Sequence, residues 1–287
     1  MCADGWCGPE GWSRSGRTIS PGRNGPPFAH TQKQIERARK NALLRSRPMS
    51  HSVIVFDGDD TLWECQRHFD EARAAVADYV SGLGLDADLW RQLQHDLDLD
   101  LVATRGMDRR RFPLSCELAL EQVSHQVGRL VRDQDRYRVG ELADRAHIAP
   151  VQLLPGVAEA LARAAQSAPL MLLTCADPTV QRRRIYNSGL MRHFQGVRIC
   201  PDKHAGIFAS LMHDLQADRA HSWSIGNSEA SDIVPALQAG MNAAWVPRGT
   251  WAHDLRPPAY RPTAPAGLSL RAEDLSAAVD LVLERLG

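Results

Sequence analysis

The stretch VIVFDGDDTLWE, residues 53–64, decides the fold of this chain. Four apolar residues run directly into three acids, Asp57, Asp59 and Asp60, which Thr61 follows. A short, continuous, β-branched apolar run is typical of a parallel strand that is buried on both faces. Ligands of an open parallel sheet bind beyond the carboxyl ends of its strands. The acids therefore stand at a candidate site, with Asp60 predicted as a solvated or N-cap-like turn residue rather than a catalytic one.

Four further apolar runs predict strands along the rest of the chain. They are APLMLLT (168–174), QGVRIC (195–200), SWSIG (222–226) and NAAWVP (242–247). Helical patterns lie between them, with Pro or Gly at their boundaries. Strands that alternate with helices predict an α/β fold with a parallel sheet covered on both faces.

The interval 65–149 breaks this alternation because it contains no strand-like run. Its apolar residues recur at helical spacing instead, as Ala72 and Val76 do. We therefore predict an all-helical domain inserted after the first strand, while 51–64 and 150–287 form the core.

Residues 1–50 differ in composition from the rest, with nine Lys or Arg against three Asp or Glu. The first 30 or so show neither helical nor strand periodicity, and a short basic helix is predicted from Thr31. We predict a basic, disordered N-terminal extension. A solvated tail, with Met49 as an alternative start of the chain, is favoured over a nucleic-acid-binding arm because short basic runs are weak signals.

Composition argues against several classes of protein. No apolar run approaches the roughly 20 residues that cross a bilayer, so no membrane partner is expected. Six scattered cysteines without paired spacing predict neither a zinc site nor a disulfide scaffold. A reducing cytoplasm fits this cysteine usage best. The oligomeric state is not readable from these features.

Further polar residues stand near the ends of the later predicted strands. Thr174 ends the second apolar run, Lys203 precedes the fourth, Gly226 ends the fourth, and Asn227 and Asp232 follow it. The chain has 31 Arg and three Lys, and Lys203 is the one Lys beyond the N-terminal extension. A compact ammonium with three donors is not equivalent to a planar guanidinium, so this placement is informative.

The order of these motifs resembles that of the haloacid dehalogenase (HAD) superfamily. Its signature is DxDxT after the first strand, Ser or Thr after the second, then Lys, and a Gly-plus-acid motif after the fourth. The match covers residues 52–287, with DGDDT at 57–61, LLT at 172–174, PDK at 201–203 and GNSEASD at 226–232. The resemblance implies a Rossmann-like core and a helical cap, 65–149, that closes over the site.

The resemblance also implies catalytic roles. Asp57 would be the nucleophile that forms an aspartyl-phosphate, and Asp59 would be the general acid and base. Asp59 stands two residues on and so would point to the same side of an extended segment. Thr174 would hydrogen-bond the transferring phosphoryl group, and Lys203 would offset its negative charge.

A magnesium site is implied as well. Mg²⁺ would be held by Asp57, the backbone carbonyl of Asp59, Asp232 and Asn227. Asn227 departs from the family pattern, in which many metal-dependent members carry an acid at this position. One negative charge fewer should weaken the affinity for the metal.

The sequence thus predicts a cytoplasmic, Mg²⁺-dependent phosphatase of a small phosphorylated metabolite. Three alternatives stay open: a 2-haloacid dehalogenase, a phosphomutase and a non-catalytic binding protein on the same fold. Asp59 favours phosphate esters, because the metal-free dehalogenases do not need a second acid. A basic stretch of the cap, Arg105–Arg111, is predicted to be solvated rather than to bind a second anion of the substrate.

Overall fold

The apolar run of the first motif forms the central strand of a seven-stranded sheet in the computed structural model, which describes residues 6–7, 51–248 and 267–287. The strands are β1 (Trp6–Cys7), β2 (Ile54–Phe56), β3 (Leu170–Cys175), β4 (Gly196–Cys200), β5 (Trp223–Gly226), β6 (Asn242–Trp245) and β7 (Ser269–Arg271). Their order is β1-β4-β3-β2-β5-β6-β7. All neighbours are parallel except β1 and β4, which are antiparallel.

All five predicted strands are confirmed, together with the parallel α/β fold. The edge strand β7 was not predicted, because its three residues are partly exposed and lack a buried-strand pattern. Trp6 and Cys7, two residues of the segment predicted to be disordered, instead pair with β4. The rest of that segment, including the helix predicted from Thr31, lies outside the described residues.

In the described ranges, four helices directly follow β2, a fifth leads into β3, and four more lie between or after the later strands. The first group is α1 (Gln66–Gly82), α2 (Ala87–Arg105), α3 (Arg111–Gln126) and α4 (Asp133–Ile148). The second is α5 (Val157–Ser167), α6 (Pro178–Ser188), α7 (Ala205–Asp214), α8 (Val234–Gln238) and α9 (Leu275–Leu286). The first group is the helical insert, which we call the cap. Within the described ranges, none of these helices has the length and apolarity to cross a membrane.

Burial on both faces explains the unbroken apolar run of β2. Ile54 and Phe56 pack on one face in a cluster that includes residues of α5 and α9. Val53 and Val55 pack on the other face, in a cluster with residues of α7. Side chains of a strand alternate between its two faces, so the residues on both faces of this strand must be apolar. The cap has a separate apolar core around Trp90.

An ion pair inside the cap corrects the interpretation of its basic stretch. Arg111, at the start of α3, pairs with Asp98 of α2, and both residues are buried. Arg109 pairs with Asp144 of α4. These two arginines were predicted to be solvated, but each instead joins two parts of the cap, because acids of neighbouring helices lie within reach.

Replacing Asp98 alone should destabilise the protein. Asp98→Leu leaves the buried guanidinium of Arg111 without this carboxylate, and the expected loss in free energy of unfolding is about 3 kcal/mol. The double variant Asp98→Leu/Arg111→Met should recover most of that loss, because it removes both charges of this pair. Urea unfolding followed by tryptophan fluorescence measures both. A single variant as stable as the wild type would show that the pair does not hold the cap together.

Candidate active site

The predicted site residues meet at the carboxyl edge of the sheet. Asp57 follows β2, and its backbone N–H donates to the carbonyl of Ile225 in β5 at 2.9 Å. Thr174 lies near the end of the neighbouring strand β3, and Asn227 follows β5. Parallel pairing brings these three strand ends side by side.

A single lysine joins two of the acids. The Nζ atom of Lys203 lies 2.5 Å from Oδ1 of Asp57 and 2.6 Å from Oδ1 of Asp232. Its side chain is only 3% exposed. Asp232 folds back over Gly226, where an added Cβ would lie 2.2 Å from Oδ2 of Asp232, so that position requires glycine. The compact ammonium fits this space between two carboxylates.

Thr61 orients the second oxygen of the nucleophile candidate. Its hydroxyl donates to Oδ2 of Asp57 at 2.9 Å and accepts from the backbone N–H of Asn227 at 3.0 Å. The Oγ1 atom also lies 3.3 Å from Oδ1 of Asn227. Both oxygens of Asp57 are therefore held, one by Lys203 and the other by Thr61.

Buried charge shifts the titration of this cluster. Burial raises the pKa of Asp57 to about 7, and the neighbouring carboxylate of Asp232 adds to the rise. The ammonium of Lys203 opposes it without cancelling it. Burial lowers the pKa of Lys203, but the carboxylates of Asp232 and Asp57 outweigh it and hold that pKa well above its usual range. Two carboxylates thus share one buried cation.

Asp59 takes different partners from Asp57. Its Oδ1 accepts from Nε1 of Trp63 at 2.6 Å, and its Oδ2 accepts from Nε2 of Gln181 at 2.7 Å and Nη1 of Arg184 at 2.8 Å. The chain does not stay extended after Gly58, whose carbonyl accepts from the N–H groups of residues 61–63. The alternation expected of an extended segment therefore does not set the direction of the Asp59 side chain.

The third acid, Asp60, joins the motif to the cap. Its carboxylate accepts from the backbone N–H groups of Cys65 and Gln66 at 2.9 and 3.0 Å, at the start of α1. Its φ of 57° places it in the left-handed region. The prediction of an N-cap-like turn residue is confirmed, although Asp60 is buried rather than solvated. Burial raises its pKa to about 6, against the effect of these donors.

Thr174 has a hydroxyl that the surrounding protein does not use. The residue is fully buried, and its Oγ1 has no hydrogen-bond partner within the described ranges. A buried polar atom of this kind is usually satisfied by protein, water or ligand. Thr174 is therefore suited to contact a polar ligand at the end of β3.

Sequence reasoning missed Gln181 and Arg184 of α6. Both are buried, although they are polar and stand among other arginines. Together with Val180 and Ile185 they form the inward face of the helix, at the spacing i, i+1, i+4 and i+5. That spacing was the available signal, because it places Arg184 on the same face as Val180.

The oxygens at the strand ends are of the kind that Mg²⁺ prefers. No group of three or more His, Cys, Asp or Glu side chains placed to hold a metal ion occurs in the described part of the chain. The carboxylates of Asp57 and Asp232 do converge on one cation, the ammonium of Lys203. The amide oxygen of Asn227 lies near this pair, because it contacts Thr61, whose hydroxyl also holds Asp57. Carboxylate and amide oxygens of this kind fit a hard cation.

A cleft above these residues is lined by both parts of the protein. Asp57 and Lys203 line it from the core, while Phe69, Met107 and Arg109 line it from the cap. The arrangement offers a held carboxylate, a buried ammonium and a second acid beneath a partly apolar cover. Such a site can bind a small anionic compound.

Comparisons with known proteins agree with this architecture. A family model described as HAD-hydrolase-like matches residues 199–269. A HAD-like hydrolase from Xanthomonas campestris superposes with a TM-score of 0.68 at 23% identity, covering 84% of this chain and 94% of that one. The HAD hydrolase YfnB from Bacillus subtilis, bound to magnesium, gives 0.55 at 17% identity, covering 82% and 99%.

L-2-haloacid dehalogenase from Xanthobacter autotrophicus gives a TM-score of 0.51 at 21% identity, covering 81% of this chain and 98% of that one. No curated protein sequence matches the chain. The resemblance to the HAD superfamily is confirmed: the chain has its Rossmann-like fold with a helical cap, and the family model matches the segment that carries the Lys and Gly-plus-acid motifs.

Two carboxylates around the single ammonium of Lys203 leave an excess of negative charge, so a neutral residue in place of Asp57 should stabilise the protein. Burial raises the pKa of Asp57 above its value in the unfolded chain, so its contribution to stability is present at low pH and lost as pH rises through about 7. In EDTA at pH 8, Asp57→Asn should therefore raise the free energy of unfolding by roughly 1 to 4 kcal/mol.

The gain should shrink at pH 5, where Asp57 of the folded wild type carries a proton. Thermal unfolding at the two pH values measures it, with Asp78→Asn, an exposed residue of α1, as the matched control. A variant that is less stable than the wild type at pH 8 would contradict the account of the buried charge.

Proposed function

We propose that the protein is a Mg²⁺-dependent phosphatase of a small phosphorylated metabolite and acts through an aspartyl-phosphate at Asp57. The observation that carries the proposal is the Asp57 carboxylate, fixed at a strand end by Lys203 and Thr61 beneath the cleft. A carboxylate held in this way is a nucleophile that needs no further orientation. A second acid, Asp59, lies in the same loop.

In the first step, the Asp57 carboxylate attacks phosphorus and displaces the alcohol of the substrate. The ammonium of Lys203 lies at Oδ1 of Asp57 and offsets negative charge on the phosphoryl group. The unused hydroxyl of Thr174 donates to a phosphoryl oxygen. The mixed anhydride on Asp57 is then hydrolysed by water, which restores the carboxylate.

Asp59 moves the proton in both steps. Its Oδ2 is anchored by Gln181 and Arg184, and its Oδ1 accepts from Nε1 of Trp63; the thiol of Cys65 also hydrogen-bonds this carboxylate. We assign Oδ1 as the oxygen that carries the proton to the leaving alcohol and later takes a proton from the attacking water. The amide of Gln181 and the guanidinium of Arg184 both lie on Oδ2, which leaves Oδ1 for that role.

A divalent cation fits the charge balance of the site. Asp57 and Asp232 carry two negative charges against the single positive charge of Lys203, and a phosphate ester adds more negative charge. When bound, Mg²⁺ would neutralise this excess and orient the phosphate. Asp57, Asp232, Asn227 and the carbonyl of Asp59 are the residues that would hold it.

A second candidate is a 2-haloacid dehalogenase. Displacement of halide from carbon by Asp57 needs no proton on the leaving group, and the ion pair of Asp59 with Arg184 is compatible with an acid that takes no part in chemistry. Dehalogenases are among the proteins that share the fold. The chain retains Asp59 beside the nucleophile, which supports the phosphatase over this alternative.

A panel of phosphorylated metabolites and p-nitrophenyl phosphate tests the proposal. Phosphate release should require Mg²⁺, stop in EDTA and return on addition of Mg²⁺. Asp57→Asn should lower kcat by at least about a thousandfold, because it removes the nucleophile. Asp78→Asn serves as the matched control and should keep full activity.

Three other outcomes separate the alternatives. Halide release from 2-haloacids without added metal, and no phosphate release, would show a dehalogenase. Transfer of the phosphoryl group to a second sugar hydroxyl in place of water would show a phosphomutase. Ligand binding without any turnover would show a binding protein.

A further inference from the structure

Two neighbouring arginines of α6 hold the end of the last cap helix. Nη2 of Arg183 donates to the carbonyl of Ile148 at 2.5 Å, and Nη2 of Arg184 donates to the carbonyl of Ala146 at 3.5 Å. Carbonyls in the last turn of a helix have no partner within the helix, and cations are favourable there. These hydrogen bonds join the core to the cap where the chain leaves the cap at the end of α4.

Arg184 differs from Arg183 because it also holds a residue of the site. Its Nη1 donates to Oδ2 of Asp59 at 2.8 Å, and its side chain is 8% exposed. A planar guanidinium has donors on separate nitrogens, so it can hold both acceptors in a fixed relation. The ion pair is buried on the arginine side, where hydrogen bonds to charged groups are strong.

Gln181 holds the same carboxylate from the core alone. Its Nε2 donates to Oδ2 of Asp59 and, at 3.0 Å, to the carbonyl of Cys175 at the end of β3. Helix α6 therefore presents three side chains with different combinations of partners. Arg183 contacts the end of the cap, Gln181 contacts Asp59, and Arg184 contacts both.

We propose that Arg184 is a positioning residue that couples the seating of the cap to the placing of the Asp59 carboxylate. With the end of α4 seated on α6, the carbonyl of Ala146 fixes the guanidinium, and the guanidinium fixes Oδ2 of Asp59. Oδ1 of Asp59 is then in position to transfer the proton. Movement of the cap removes the contact of Arg184 with Ala146, so the guanidinium is less firmly fixed and Oδ2 of Asp59 relies more on Gln181. The consequence for catalysis rests on the proposed phosphatase function; the coupling itself does not.

Hydrogen exchange tests the coupling without any assay of activity. Arg183→Met should speed exchange about tenfold in peptides that cover 146–150 and leave 59–66 unchanged. Gln181→Met should do the reverse. Arg184→Met should speed exchange in both segments, because it removes the shared contact. An Arg184→Met pattern that matches either of the other two variants would overturn the proposal.

Leaving-group dependence tests the role of Arg184 in catalysis. Arg184→Met should lower kcat for a poor leaving group, as in glycerol phosphate, by about a hundredfold. The loss should be much smaller for p-nitrophenyl phosphate, which needs little protonation. Arg183→Met, the matched control, should keep kcat within about threefold for both esters, and KM should change little in either variant.

An equal fall in kcat on both esters would show a purely structural role for Arg184 and overturn its part in catalysis. If Arg184→Met does not fold, Arg184→Lys carries the same comparisons, because a compact ammonium on one nitrogen does not reproduce the two separate guanidinium nitrogens that contact Asp59 and Ala146. A wild type that hydrolyses neither ester would overturn the proposed function, and the exchange pattern would still decide the coupling.

Discussion

The buried ammonium of Lys203, shared by Asp57 and Asp232, is the interaction on which the site depends. It joins three segments that are far apart in sequence: the end of β2, the loop after β4 and the turn after β5. The strand order β4-β3-β2-β5 brings these ends to one edge. Gly226 leaves space for the Asp232 side chain, and Thr61 holds the other oxygen of Asp57. Without the cation, two buried carboxylates would repel each other.

This centre is arranged for chemistry rather than for stability. Two acids on one cation leave a buried excess of negative charge, which burial makes unfavourable. The rest of the molecule compensates through two apolar clusters on the faces of the sheet and a third in the cap. The cap carries its own buried ion pair and its own apolar core, separate from the part of the chain that holds the nucleophile candidate. The contacts of Arg183 and Arg184 then mark where the two units are joined.

The sequence was enough for the architecture and for the positions of the motifs. Buried parallel strands have an unbroken apolar pattern, and polar residues at their ends must meet. The direction of the Asp59 side chain could not be read, because it depends on a tight turn at Gly58 and on donors 122 and 125 residues away. The ion pairs of Arg109 and Arg111 depend on tertiary neighbours in the same way. Strand β7 was missed because an exposed three-residue edge leaves no periodic signal.

Acid-quenched single turnover of a phosphate ester, followed by peptide mass spectrometry, tests the central claim most directly. The account predicts that the peptide containing Asp57 gains one phosphoryl group, and that borohydride reduction converts residue 57 to homoserine. The Asp57→Asn protein should give neither product. If esters are cleaved while Asp57 stays unmodified at every quench time, the carboxylate is not the nucleophile and the account is wrong.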